Sequence, residues 1–361
     1  MSGRTRCTYT RTRRTQVARK QAELQRKTRF MRIVRVPTRS KGQPNKFGRP
    51  AVPRYMNVST PTRRAQVIAS LLVLTGSVCF AGKAVLVKLA YRYNIDPVSL
   101  LALRMAFALP FFLLIADHAR RKARAAQAPP LTRREWLQII GLGLLGYYLA
   151  SLFDFWGLQY ISAGLERLVL FTYPTLVIVI GFLFLRKRIQ KRQLLALVLT
   201  YLGIGVAFID HLLKEENRDA LLGGVLVFVS ALVFALYLLG GTTMIARLGT
   251  QRFTALALTA AGVAILIQHG VFYRWQLFHY PAEVYILSLV MAIFSTVLPS
   301  FMTSEGLRVI GPGNTAIISS FSPVAVVILA RIFLGEHFGW WQWVGTALVI
   351  GGVLLTTLKR S

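Results

Sequence analysis

The chain has 361 residues, 54% of them hydrophobic, with a mean hydropathy of +0.51 and a formal net charge of +31. No ordinary soluble domain combines these, because charge and apolar surface must then be segregated along the chain, and a soluble enzyme is excluded. The two cysteines, Cys7 and Cys79, fall in a basic tail and in an apolar run, which leaves neither a disulfide framework nor a thiolate metal site.

Residues 1–55 carry 17 Lys and Arg against one acid, Glu23, and show no helical or strand period. Such a composition buries too little to offset its ordering entropy, so no fold is expected there. Three readings stand open: an extension upstream of a true start at Met56, a basic tail for anionic lipid or nucleic acid, or an Arg-rich organellar transit segment. Met56-Asn-Val-Ser-Thr-Pro-Thr-Arg-Arg leads straight into apolar sequence, which favours the first. Without interleaved aromatics, no specific nucleic-acid recognition is expected.

Ten apolar spans follow, at 65–91, 97–117, 136–158, 161–185, 192–210, 220–245, 251–272, 282–304, 311–334 and 339–358. Most are about 20 residues long, enough to cross roughly 30 Å of hydrocarbon at about 1.5 Å per residue. They are too long and too continuously apolar for barrel strands, so an all-α membrane protein is expected. Loop Lys and Arg, counted alternately, give 18 on one side against four on the other, namely Arg92, Lys214, Arg218 and Arg274. The positive-inside rule then puts both termini in the cytoplasm and the acidic loop of Glu215, Glu216 and Asp219 outside.

Sliding the chain on itself by 149 residues aligns 157–208 with 306–357 without a gap and with eleven identities, among them Gly157/Gly306, Gly164/Gly313, Pro174/Pro323, Phe184/Phe333, Gln193/Gln342 and Gly203/Gly352. Background composition gives about three. Residues 65–210 and 220–358 therefore read as two copies of five helices, and because five is odd the second copy lies inverted. Inverted repeats can exchange conformations so that a site between them faces one side and then the other.

The five-plus-five arrangement, the Gly-Leu-x-x-Ile-x-x-Gly that opens spans four and nine, the central Pro174 and Pro323, and Phe-Leu-Gly-Glu at 333–336 before Trp-x-x-Gly resemble the drug/metabolite transporter superfamily, specifically its ten-helix EamA-type members. The resemblance covers residues 66–358. It implies a bacterial inner-membrane secondary transporter, commonly an exporter of amino acids or other small metabolites. The first half departs from the motif: its Gly-Glu position reads Arg186-Lys187.

Ionisable groups inside spans cost about 2.5–3.5 kcal/mol each on insertion scales and mark a pathway or a buried pair. Counting helix rise from the span ends puts Lys83, Arg104, Asp154, Glu166 and Arg167 in one outer layer with net charge +1. They read equally as an outer gate or substrate contact and as ion pairs fixing the helices. Lys88 is expected to snorkel to the interface. At the 149-residue offset Asp154, Glu166 and Arg167 become Thr303, Thr315 and Ala316, near Ser295, Thr296, Ser300, Ser304, Ser319, Ser320 and Ser322. Hydroxyls on that inner side either close a weaker gate or bond their own helix backbone. An outer gate of ion pairs and an inner gate of hydroxyls would bias the molecule inward, which suits export.

Pro174, Pro299 and Pro323 fall mid-span, where each removes a backbone donor and bends a helix. Tyr147, Tyr148, Trp156 and Tyr173 are candidates for an aromatic cavity, while Trp275, Trp340, Trp341 and Trp343 read as interfacial belts. His269 and His279, near an outer loop, are expected to be solvated. No Walker, His-Glu-x-x-His or Gly-x-Ser-x-Gly sequence occurs, so no ATP hydrolysis, metal or cofactor is expected.

The expected molecule is a ten-span inner-membrane transporter in a lipid bilayer, moving a small amino-acid-like metabolite by alternating access. Arg104 or Lys83 would meet a carboxylate, and Asp154 or Glu166 an amine or a coupled proton. Two other readings stand: an antiporter of phosphorylated or nucleotide-linked anions, and a scaffold or sensor with a basic tail. No oligomeric state follows, and a monomer suffices.

Overall fold

A computed structural model describes residues 62–185, 190–213, 219–274 and 276–357. The basic extension with Met56, Arg186-Lys187, Glu215-Glu216, Trp275 and Lys359-Arg360 lie outside the described residues.

All regular structure in the described residues is helical. Helix α1 (Arg63–Tyr91) starts where the Thr62 hydroxyl accepts the Ala65 N–H, and α2 (Pro97–Ala125) where Asp96 accepts from Val98 and Ser99, with Pro97 preset for a first turn. Helix α3 (Arg133–Gly157) opens on a reciprocal cap between Thr132 and Glu135. Next come α4a (Ala163–Leu170), α4b (Tyr173–Leu185), α5 (Lys191–Leu213), α6 (Ala220–Leu248), α7 (Thr250–Tyr273), α8 (282–309), α9a (Gly311–Ser319), α9b (Ser322–Leu334) and α10 (Trp340–Thr357). The 92–96, 158–162, 276–281 and 335–339 connections gather at one end of the bundle, hereafter the 160 end; 126–132 and Gly249 mark the opposite, 130 end.

Eight of these rods are long and apolar enough to cross a membrane; α5 and α10 carry shorter apolar windows, 193–207 and 340–355. Apolar side chains face outward, Leu114 at 69% exposure and Phe272 at 75%, as lipid requires and water does not reward. Two boundaries differ from expectation. Helix α2 runs eight residues past 117, because the Ala, Arg and Lys that follow are strong helix formers and Arg121 pairs with Asp117 one turn back at 2.7 Å. The prolines of spans four and nine break their helices outright: the chain turns at Phe171-Thr172 before Pro174 and at Ser320-Phe321 before Pro323, positions 149 residues apart. Each ring lacks an N–H and would strike the carbonyl four residues back.

The same offset relates two further irregularities. A π-turn interrupts α3 at Leu144–Leu149, and another interrupts α8 at Ile293–Val297, with Pro299 following directly. Single π-turns of this kind concentrate at functional sites.

Helix α1 packs on α8 and α9b, α2 on α7, α3 on α6, and α5 on α10. Close approach explains the repeated glycines. A Cβ on Gly157 would lie 2.5 Å from Val227 Cγ2 on α6, and one on Gly306 would run into Val73 on α1. The largest apolar cluster draws on α1, α2, α3, α7, α8 and α9b and surrounds the groups described next.

Candidate functional site

Four of the five expected charges meet near the 160 end. The Lys83 ammonium of α1 pairs with Asp154 of α3 and reaches Glu166 Oε1 of α4a at 3.4 Å. Arg167 Nε stands 3.8 Å from Glu166 Oε2, its Nη2 donates to the Phe80 carbonyl at 3.1 Å, and its guanidinium lies over the Phe80 ring at 5.1 Å. All four are at least 95% buried. Two cations face two carboxylates, so the cluster is neutral, the condition under which buried charges are tolerated.

Arg104 stands apart from this set, contrary to a single five-charge layer. Its Nε donates to Thr296 Oγ1 in the α8 π-turn at 3.0 Å, and its guanidinium lies 5.5 Å over the Phe155 ring. Rise along a helix gives depth, but which neighbour a side chain faces depends on packing. The layer's net +1 is therefore the charge of Arg104, which is 5% exposed and has Nη1 without a partner.

Toward the 130 end a small cleft of about 20 Å³, room for about one water, lies between Phe112 and Ile115 of α2, Gln251 and Thr254 of α7, and Ser300 and Ser304 of α8. Ser300 donates to the Thr296 carbonyl at 2.6 Å, so the cleft wall connects to the acceptor of Arg104. Across from it, Tyr237 donates to the Tyr147 hydroxyl at 3.3 Å in the α3 π-turn, and Thr254 lies beside both phenols. Thr296 and Tyr147 are 149 residues apart.

The remaining expected residues divide. Tyr173 joins the Tyr147–Tyr237 rings through Phe234, with centroids at 5.3 and 5.6 Å, while Tyr147, Tyr148 and Trp156 all pack on the large apolar cluster. Ser77 donates to Ser319 at 3.2 Å, tying α1 to α9a; Ser295 is buried without a partner; Thr303 is half-buried. Pro174, Pro299 and Pro323 shape the backbone as above.

A profile of the EamA-like transporter family matches residues 67–209 and again 221–358. The chain belongs to that family. A transporter of undetermined function from Bacillus subtilis (strain 168), YcbK, is 30% identical over 311 residues, 82% of this chain and 96% of its own. The WAT1-related protein At1g68170 of Arabidopsis thaliana is 22% identical over 311 residues, 78% of this chain and 86% of its own. A solved crystal structure aligns with a TM-score of 0.55 at 15% identity, covering 80% of this chain and 96% of that one, which speaks to the fold. This EamA chain is a multi-pass membrane transporter in the drug/metabolite transporter superfamily, acting on a small molecule within lipid.

Its family motif has a local function that the sequence alone did not reveal. After Gly335, at φ +70°, the chain turns so that Glu336 Oε1 accepts the Ala163 N–H at 3.1 Å at the start of α4a, and Phe338 seats against Gly164. Glu336 Oε2 is buried without a partner, and burial raises the carboxyl above its usual range, against the pull of the Ala163 N–H and of Lys88. Lys88 is half-buried beside this carboxylate and does not simply snorkel. His269 also departs from expectation: it is fully buried, with Nε2 2.9 Å from the Ser99 hydroxyl and its ring stacked on Tyr273, because α7 continues a full turn beyond it; His279 is exposed. Tyr237 was missed because only its contact with the π-turn distinguishes it from other aromatic residues in the spans. At the 130 end Arg247 pairs with Glu135, joining α6 to the start of α3.

Proposed function

We propose that this EamA chain is a secondary transporter that exports a small amino-acid-like metabolite by alternating access. In this reading α5 and α10 complete ten spans, residues 65–210 and 220–358 are inverted five-helix repeats, and the protein sits in a bacterial inner membrane with both termini cytoplasmic. The 160 end is then the outer face. The observation that carries the reading is the difference between the ends: a buried, neutral four-charge cluster closes the outer one, while the matching positions at the inner one are Thr303 and Thr315, beside a small cleft lined by Ser300 and Ser304. The 149-residue spacing of the π-turns and of the proline breaks supports the repeat, and the charge of the cytoplasmic loops supports the orientation.

Breaking at Pro174 and Pro323 gives α4 and α9 hinges on which the outer halves can swing. Asp154 and Glu166 share the Lys83 ammonium and are the carboxylates through which a coupled proton would act. The scaffold reading places function in residues 1–55; deleting them leaves transport intact if the present reading holds.

The test is a single-cysteine scan of α3 and α8 with impermeant reagents, alongside metabolite profiling of cells with and without overexpression and counterflow in liposomes. Cysteines at the α8 end label from the inside and those near Asp154 resist labelling from the outside. Preferential outer access with the four-charge cluster intact would overturn the inward bias, and no flux of any profiled metabolite would overturn transport.

A further inference from the structure

We infer that Arg104, buried one helical turn beyond the inner cleft, is an anion anchor that holds one carboxylate of the transported solute; this rests on the alternating-access reading above. The guanidinium is 95% buried, and its nearest carboxylates already face Lys83. Thr296 takes only Nε, so the Nη1 donor is unspent in a place where an unsatisfied charged donor is costly. A buried polar group left unpaired in the empty state and satisfied by a ligand is the arrangement that specific sites use to reject the wrong solute.

The surroundings fix where such a ligand arrives. Ser300 lines the cleft and donates to the Thr296 carbonyl one turn back on α8, and the Thr296 hydroxyl accepts from Arg104, so the guanidinium lies one helical turn beyond the cleft wall. On the facing side Thr254, also in the wall, lies beside Tyr147 and Tyr237. Each π-turn carries one of these hydroxyls at corresponding positions of the repeat, Thr296 in one and Tyr147 in the other. A π-turn locally misaligns the backbone ladder, which lets a side chain project where a regular helix would turn it away. The Phe155 ring lies 5.5 Å from the guanidinium and offers it a cation–π contact that uses none of its N–H donors.

Charge selects the class. One guanidinium against one carboxylate makes a neutral pair, with two parallel N–H donors matching two oxygens. A phosphate dianion would leave a net negative charge in a low-dielectric interior, and a cation would be repelled. The facing wall offers hydroxyls and the Gln251 amide, all uncharged, so the remainder of the solute is recognised by neutral hydrogen bonds and apolar contact.

The experiment uses the full chain in liposomes, treated with p-hydroxyphenylglyoxal, with modification of each arginine read by peptide mass spectrometry. The probes are benzoate and N-acetyl-leucine, their amides, and inorganic phosphate. Arg104 is modified and Arg167 is protected. Benzoate or N-acetyl-leucine slows modification of Arg104 by the mass-action factor, about tenfold at ten times its Kd, and the amides do not. Arg104→Gln and Thr296→Val, checked for folding by size exclusion and circular dichroism, weaken benzoate binding measured by calorimetry by about tenfold or more; Arg104→Lys restores part of it. Equal slowing by acids and amides overturns the anchor, and slowing by phosphate alone overturns the carboxylate class. A cysteine at Ser304 in the same preparation separates the two readings. If it labels from inside while no carboxylate slows Arg104, transport stands and the anchor falls; if it never labels, the proposed function fails first.

Discussion

The turn from α3 into α4 and the turn from α8 into α9 share one backbone plan and differ in chemistry. Each follows a π-turn, carries a tightly packed glycine in the last turn of its helix, starts a short helix and breaks two residues before a proline. The first carries Asp154, Glu166 and Arg167 closed on Lys83; the second carries Thr303 and Thr315 at the matching positions. The backbone plan therefore does not depend on the charges. At these matching positions they stand at one end only, where each pair at about 4 Å attracts by about 4 kcal/mol at an effective dielectric of 20 before the desolvation of both ions is subtracted, against about 0.5–1.5 for a hydroxyl bond; the other end has the Arg247–Glu135 pair elsewhere, between α6 and α3. Opening the charged end is the more expensive motion.

The largest effect follows from removing one charge. Lys83→Met leaves two carboxylates facing Arg167 and costs about 3–5 kcal/mol, the usual result of stranding a buried charge. Thermal unfolding in detergent reads it as the steepest loss among these variants. Adding Asp154→Asn restores neutrality and recovers part of the loss, and the double variant exposes the outer end to impermeant reagents. If the single variant costs less than about 1 kcal/mol, the cluster does not hold the end closed.

How far this contrast was legible from the chain depends on what periodicity encodes. Span positions, the 149-residue repeat and the five buried charges follow from apolar run length and the cost of charge in lipid, and all five prove buried. Pro174 and Pro323 announce their breaks. The π-turns do not announce themselves, since one extra residue in an all-apolar stretch leaves the pattern unchanged; Pro299 beside one of them is the only hint. The separation of Arg104 from its four neighbours requires knowing that α2 faces α8, a long-range fact. Glu336 is conspicuous in its motif, yet its partner Ala163 lies 173 positions away.

A second test asks whether the two halves share packing as well as plan. Gly157→Ala pushes a methyl against Val227 and the Gly223 carbonyl, and Gly306→Ala pushes one against Val73. Overpacking of this kind costs about 1–3 kcal/mol. Both variants should lower the unfolding midpoint by similar amounts, and a loss confined to one would show that the repeated glycines serve different ends.

Glu336 sharpens the comparison from outside the spans. At the 149-residue offset Glu336 corresponds to Lys187, a side chain that cannot accept a hydrogen bond, and Ala163 to Pro312, which has no N–H to offer. The cap thus belongs to the charged end alone. Because burial raises the carboxyl of the capped state, that state binds a proton more readily than an open one. Its stability is fullest below the ordinary Glu value and is lost as pH rises through the raised one. Outer labelling of a cysteine near Ala163 should therefore increase with pH over that window. Glu336→Gln keeps the acceptor and flattens the dependence; Glu336→Ala removes the cap, costs about 1 kcal/mol, and leaves the end more accessible at every pH.

The smallest effect is expected where charge is absent. Thr315 donates to the Gly311 carbonyl of its own helix at 2.8 Å, a local bond that ties no second helix, and Thr303 is half-buried at the wider end. Thr315→Val and Thr303→Val keep shape and remove only the hydroxyl, so each should cost about 0.5 kcal/mol or less. Neither should change inner labelling of the α8 cysteines by more than about twofold, because 0.4 kcal/mol is about that factor. A cost approaching that of Lys83→Met would mean that the hydroxyl end is also held shut by its side chains. The inward bias would then have to come from the helix packing, with the four buried charges serving only to fix α1, α3 and α4 together.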